Sequence, residues 1–67
     1  MLTIEQAKKL KHGDILIEIA TGARWRVNGK VKLWKRQPER FQLPVKHGLY
    51  DYGYITEDNA DKVELRQ

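Results

Sequence analysis

One stretch of this chain combines aromatic rings with closely spaced cations. Between Arg24 and Arg36 the sequence reads Arg-Trp-Arg-Val-Asn-Gly-Lys-Val-Lys-Leu-Trp-Lys-Arg. Arginine and lysine pair with phosphates, and an aromatic ring between them offers a surface on which a nucleobase can stack. The chemistry that this stretch suggests is therefore recognition of single-stranded nucleic acid, either RNA or DNA.

The charge of the chain is concentrated in the same region. The net charge of the 67 residues is +4. Residues 24–46 hold eight bases and a single acid, Glu39, so this segment carries +7 while the remaining residues carry −3. Such a polarised charge favours attraction to a polyanion. The residues predicted to bind nucleic acid are Arg24, Arg26, Lys30, Lys32, Trp34, Lys35, Arg36 and Arg40.

The role of Trp34 has two interpretations. If the ring faces solvent, it is the stacking platform between the cations. If it packs beneath the helix or the strand that contains Phe41, arginine side chains lie across it and the ring is structural. Trp25, in contrast, is predicted to be a core residue. The cations likewise have a plainer interpretation as a solvated face, which is common on small domains.

The remaining reactive groups do not form a catalytic or metal-binding pattern. Serine and cysteine are both absent, and His12 and His47 each precede a glycine in a predicted turn. The acids near the C-terminus lack the alternating ligand spacing of a calcium loop, so helix capping and solubility explain them better. These acids are Asp51, Glu57, Asp58 and Asp61. We therefore expect no enzymatic activity, no bound metal and no cofactor.

The basic stretch is predicted to form a hairpin. Asn28-Gly29 favours a tight turn, so residues 24–28 and 31–36 should pair. A two-residue connection would mix apolar and charged side chains on both faces. A three-residue connection puts Val27 opposite Val31 and gathers the cations on the outer face, so burial should select it. The inner face would then consist of Trp25, Val27, Val31 and Leu33.

A helix and a first strand are predicted upstream of this hairpin. Thr3 and Gln6 have the spacing of a capping box, which begins a helix of about residues 3–11. Three isoleucines then alternate along a strand and are predicted to face the core, while Leu16 and Glu18 face outward or towards a second layer. The isoleucines are Ile15, Ile17 and Ile19.

The second half of the chain is predicted to add more strands. Residues 37–40 read as a loop. Pro44 has no N–H for a ladder, so its strand is expected at an edge or beside a bulge. Tyr50, Tyr52 and Tyr54 form either a second stacking platform or the rim of the barrel, and the rim is preferred because the nearby acids would repel phosphate. From alternation and turn residues, the strands are predicted at about residues 14–20, 24–28, 31–36, 41–46, 50–55 and 62–66.

Short strands, tight turns and one helix predict a single mainly β (α+β) domain over residues 1–67, a small, partly open barrel of about five strands with a short N-terminal helix. Leu10 to Leu16, with Gly13-Asp14 before a strand, resembles Src-homology-three-type domains. Trp25-Arg26 before Asn28-Gly29 and the closing stretch Gly53 to Leu65 are similar to the same family. The Gly13-Asp14 entry also resembles KOW-type modules, and this resemblance implies RNA or ribosomal partners.

We therefore predict a small cytoplasmic barrel that binds nucleic acid, in the style of small bacterial or phage proteins. One alternative is a protein-interaction module, of the kind found among phage or plasmid accessory proteins, that docks an acidic partner through the same face. The other is a homodimer in which Trp34 and the Phe41 strand bury each other. The absence of cysteine fits a reducing cytosol. No signal pattern is present, and no apolar run approaches the length of a membrane span.

Overall fold

The computed structural model describes residues 1–66 and shows a mainly β chain, as predicted. Helix α1 spans Ile4–Lys9. The strands are β1 (Ile15–Glu18), β2 (Arg24–Val27), β3 (Lys32–Trp34), β4 (Gln37–His47), β5 (Asp51–Thr56) and β6 (Val63–Leu65), and a short 3₁₀ helix, Ala60–Lys62, precedes β6. No helix within these residues is long and apolar enough to cross a membrane.

The six strands pair antiparallel in one sheet, with β4 at its centre. β5 runs along one side of β4, while β2 and β3 lie end to end along the other side. β1 continues the sheet from β2, and β6 continues it from β1. The order is thus β6, β1, β2, β4 and β5, and the two outer strands of the described chain are not paired with each other.

The predicted hairpin about Asn28-Gly29 is wrong. β2 pairs with β1 and β4, whereas β3 pairs with β4 through a turn at Lys35-Arg36. The Asn28 N–H donates to the carbonyl of Pro44 over 2.8 Å. The chain therefore continues along β4 instead of folding back on β2. Consequently Val27 and Val31 are not cross-strand neighbours, and the expected three-residue register does not exist.

β4 is longer than predicted and is not an edge strand. Residues 37–40, predicted as a loop, form its first part. Pro44 is accommodated without a bulge, because its missing N–H points into the gap between β2 and β3, the side on which its carbonyl accepts from Asn28. Gly29 closes this gap, since a Cβ atom there would lie only 3.0 Å from Pro44 Cγ. A proline is therefore tolerated in this central strand.

The core lies on one face of the sheet, where α1 packs against β4. Leu2 and Ala7 bring the N-terminal segment into this core. The buried apolar residues are Leu2, Ala7, Leu16, Val27, Phe41, Leu43, Val45, Ile55, Ala60 and Val63. Val27 is therefore buried as predicted, while Trp25 and Val31 are partly buried against the cluster and Leu33 is exposed, contrary to its predicted core position.

The predicted inward face of β1 is also wrong. Leu16, which was expected to face outward or towards a second layer, is completely buried in the core. It lies between Trp25 and Leu65 of the neighbouring strands, on the core side of the sheet. The three isoleucines lie outside the core: Ile15 and Ile17 are half-buried and Ile19 is 52% exposed. β1 is present, but Leu16 faces the core instead of the isoleucines on either side of it.

The capping box predicted at the start of α1 is confirmed. The Thr3 N–H donates to Gln6 Oε1 over 3.0 Å, and the Gln6 N–H donates to Thr3 Oγ1 over 3.1 Å. We expect Thr3→Ala to lower the free energy of unfolding by about 1 kcal/mol in urea denaturation, since a six-residue helix has few other bonds at its start. Thr3→Ser keeps the hydroxyl and should retain most of the stability, so equal losses would contradict this role.

Candidate nucleic-acid interface

The outer face of the sheet, opposite the core, carries both cations and tyrosines. The register places Arg26 beside Lys46 and Lys46 beside Tyr52, so these residues form a row across β2, β4 and β5. Tyr54 follows on the same face, opposite Pro44. The exposed fractions of Tyr52 and Tyr54 are 65% and 56%. This face therefore presents two accessible aromatic rings next to positive charge.

Four cations surround a shallow concavity of about 400 Å³ at one end of the outer face. They are Arg24, Arg26, Lys46 and Arg66, and the rest of its lining is Ile15, Gly48 and Leu49. None of the four forms an ion pair within the described residues, where the one such contact joins Lys8 and Glu5. Arg24, Arg26 and Arg66 are exposed and Lys46 is half-buried. No ion pair within these residues neutralises their charge, which is therefore available to an anion.

Lys32 extends the outer face at its other end. It lies opposite Gln42, which lies opposite Thr56. Gln42 and Lys46 are four residues apart on β4, so cations stand at both ends of a strip of roughly 13 Å, given a rise of about 3.3 Å per residue. Tyr54 lies between these ends, and Tyr52 lies level with Lys46. A bound strand could thus place phosphates at the ends and bases against the rings along the strip.

Acids near the tyrosines in sequence do not share their face. Asp51 pairs with His47 and projects to the opposite side of the sheet from Tyr52. The Glu57 carboxylate is held elsewhere, where it accepts from the Phe41 N–H over 3.2 Å. Glu64 is the acid on the outer face of β6, opposite Ile17. The strip itself is therefore free of carboxylates from β4 and β5.

Trp34 belongs to a separate cluster at the β3–β4 hairpin. Its ring is half-buried, with Arg40 Cζ 4.1 Å and Lys32 Nζ 5.0 Å from the ring centroid. Arg40 Nη1 also donates to Gln37 Oε1 over 3.3 Å, which fixes the guanidinium. Cation–π contacts within the chain therefore occupy the ring, in line with the structural interpretation. A base could stack on that side only by displacing Arg40.

The eight residues predicted to bind nucleic acid consequently lie in two groups and a connecting loop. The first group is Arg24 and Arg26 on the outer face of β2. The second is Lys32, Trp34, Lys35, Arg36 and Arg40 around the β3–β4 hairpin, with Lys35 and Arg36 exposed in the turn. Lys30 is exposed in the loop between β2 and β3. The single hairpin face expected from the sequence is not formed.

Sequence reasoning left four side chains of the outer face out of the predicted site. They are Lys46, Tyr52, Tyr54 and Arg66. Lys46 was counted in the basic segment, and the tyrosines were placed at the rim because nearby acids were expected to repel phosphate. The pairing of β4 with β5 instead places Tyr52 beside Lys46.

The other aromatic contacts of β2 belong to the core side. Trp25 Nε1 donates to Glu18 Oε1 over 3.3 Å, and its ring centroid lies 5.2 Å from that of His47. His47 Nδ1 is 2.8 Å from the carbonyl oxygen of Arg24, so Nδ1 carries the hydrogen of this bond. These contacts fix the end of β4 against β2.

No group of three or more potential ligands in residues 1–66 is arranged to hold a metal ion.

Comparison of the chain with protein-family models, with curated proteins and with solved structures found no match. The arrangement of side chains on the sheet is therefore the basis for the function proposed below.

Proposed function

We propose that this protein binds single-stranded nucleic acid through the outer face of its sheet. The observation that carries the proposal is the row Arg26, Lys46 and Tyr52, in which an exposed ring adjoins two cations on neighbouring strands. Proteins that bind single strands combine a positive surface for the backbone with aromatic rings for the bases. The outer face offers both on adjacent strands of one rigid sheet.

The two kinds of side chain would have different roles. The cations around the concavity would contact phosphates: Arg24, Arg26, Lys46 and Arg66. Tyr52 and Tyr54 would stack against successive bases. Such stacking tolerates any base sequence, because every base has a π-face. A duplex keeps its bases stacked on each other and cannot offer them to these rings. We therefore propose a preference for single strands with little sequence specificity.

We also propose that the sheet is a partly open barrel of the Src-homology-three type. Two features support this assignment. The strands follow in the order β6, β1, β2, β4 and β5, and a 3₁₀ helix immediately precedes the last strand, which pairs with the first. β3 is then an addition in the connection between the second and third strands of that barrel. The barrel would be open between β5 and β6, which are not paired with each other.

The function is tested by titrating labelled oligonucleotides with the protein and measuring fluorescence anisotropy at several salt concentrations. Single-stranded oligonucleotides should bind at low salt and more tightly than a duplex of equal length. The logarithm of the association constant should fall with the logarithm of salt with a slope of about −3 for four phosphate contacts, at about 0.7 per contact. Absence of binding to every oligonucleotide at low salt would contradict the proposal and favour an acidic protein partner.

Substitution of Tyr52 separates stacking from charge. Tyr52→Ala should weaken binding of a single strand by about 1–3 kcal/mol, because one stacking surface is lost, while leaving the salt slope nearly unchanged. Tyr52→Phe retains the ring and should bind almost as well as the original protein. Equal binding by all three proteins would show that the bases do not stack on Tyr52.

A further inference from the structure

The free edge of β5 exposes backbone groups that can pair with another strand. In the Pro44–Tyr54 pair, the Pro44 carbonyl points away from β5 towards Asn28. Tyr54 must therefore point its own N–H and carbonyl away from β4, since the two members of such a pair exchange no bonds. By alternation, the backbone groups of Tyr52 and Thr56 also point to the free side.

Asn59 closes the C-terminal half of this edge. Its Oδ1 accepts from the Thr56 N–H over 2.7 Å, its backbone N–H donates to the Thr56 carbonyl over 3.2 Å, and its Nδ2 donates to the Tyr54 carbonyl over 3.1 Å. Within the described residues, three groups of the edge remain without a partner. They are the N–H and carbonyl of Tyr52 and the N–H of Tyr54.

β5 also lacks the protection that the other edges carry. β3 and β6 have three residues each, and each includes a charged side chain, Lys32 and Glu64 respectively. Short length and charge are common ways to prevent edge-to-edge pairing. β5 has six residues, one of them charged, and presents exposed tyrosines, including Tyr50 just before it, which is 88% exposed. This edge is suited to a strand from another molecule.

We propose that β5 pairs antiparallel with β5 of a second copy of this chain, about a two-fold axis at Tyr52. The Tyr52 N–H of each copy then donates to the Tyr52 carbonyl of the other. The Tyr54 N–H of each copy donates to the Tyr50 carbonyl of the other. This register uses all three free groups, and each bond is made twice, once by each copy, as a two-fold interface requires.

The side chains are compatible with the same register. Tyr52 lies beside Tyr52 of the second copy, and Tyr54 lies beside its Tyr50, so the tyrosines form one ladder of aromatic cross-strand pairs. Asp51, the charged residue of β5, falls opposite Gly53 of the second copy and meets no like charge. The ladder would run between the two basic concavities. The pairing does not depend on nucleic acid and can be tested without it.

Sedimentation velocity of the protein alone, from low micromolar to millimolar concentration, tests the association. We expect a shift from monomer to dimer across this range. Amide hydrogen exchange followed by NMR should show that Tyr52 and Tyr54 become protected as the dimer forms. The amides of Gly53 and Ile55, which face β4, should be protected throughout and serve as internal references. A monomer at every concentration, with fast exchange at Tyr52 and Tyr54, would overturn the proposal.

Two substitutions locate the contact. Tyr52→Pro removes the central N–H donor and breaks no bond to β4, because this N–H points away from β4. The two-fold axis means that two such bonds are lost, so we expect association at least about tenfold weaker, or about 1.4 kcal/mol. Tyr52→Lys leaves the backbone intact and sets like charges side by side, with a similar loss expected. Leu33→Lys places the same charge on β3 and should not alter association. A dimer that both Tyr52 variants retain, with native circular dichroism, would equally overturn the proposal.

Discussion

Replacing Leu16 with alanine is expected to lower the free energy of unfolding by roughly 2–5 kcal/mol. Leu16 is completely buried between β2 and β6, so the substitution removes apolar contacts and leaves a cavity that the sheet cannot readily fill. Domains are stable by only about 5–15 kcal/mol in general, and a short chain lies near the lower limit. The variant should therefore unfold at a much lower urea concentration, or be partly unfolded without denaturant.

The adjacent residue provides the matched control. Ile17 is half-buried on the outer face, next to Arg24. Ile17→Ala should therefore cost well under half as much as Leu16→Ala when both are measured by urea denaturation under identical conditions. A larger loss for Ile17→Ala would restore the isoleucine core predicted from the sequence and contradict the register of β1.

Reversing two charges on the outer face should have the largest effect on binding. We expect Arg26→Glu together with Lys46→Glu to weaken the binding of a single-stranded oligonucleotide on the order of a hundredfold at low salt, since each tenfold is about 1.4 kcal/mol. The two residues are direct neighbours across β2 and β4, so the change would remove two of the proposed phosphate contacts and add repulsion at one place. Fluorescence anisotropy gives both affinities.

The control has the same net charge as this double variant, but its substitutions lie on another surface. Lys9→Glu together with Lys11→Glu changes two exposed lysines, the last residue of α1 and one in the loop after it, and α1 packs on the core side of β4. This pair should lower affinity only slightly, through the overall field of the protein. If both double variants lost the same affinity, binding would follow net charge and the outer face would have no special role.

The features that the sequence predicted correctly are those set by close neighbours. The capping box needs only Thr3 and Gln6, three residues apart, and it is present. β5 likewise lies within a residue of its predicted bounds, because its alternation and flanking turn residues are local signals. The mainly β character follows from several such segments together. None of these features depends on which strand lies beside which.

The errors arise where the structure depends on pairing between strands that are distant in the sequence. Ile15, Leu16 and Ile17 are all aliphatic, so alternation cannot tell which face is buried, and the neighbours Trp25 and Leu65 determine it. Asn28-Gly29 carries a strong turn signal, but the chain continues along β4 after it and does not fold back on β2. Lys35-Arg36 has no turn residues, yet it forms the hairpin.

The candidate site was predicted in part for the same reason. Arg24 and Arg26 were identified from the basic stretch, and both lie on the outer face. The tyrosines join them only because β4 lies between β2 and β5, a pairing across residues 26, 46 and 52. Trp34, the residue most suggestive of stacking in the sequence, is instead covered by Arg40.

Pro44 has a consequence for uncontrolled aggregation. β4 is the longest strand, with 11 residues, and part of one side lies at the gap between β2 and β3, where no strand pairs with it. At that point Pro44 offers no donor, its carbonyl is taken by Asn28, and Gly29 fits closely against its ring. A foreign strand cannot extend a ladder there. The proposed two-fold pairing of β5 would consume the edge that it uses, so that assembly would end at two copies instead of continuing into a fibre.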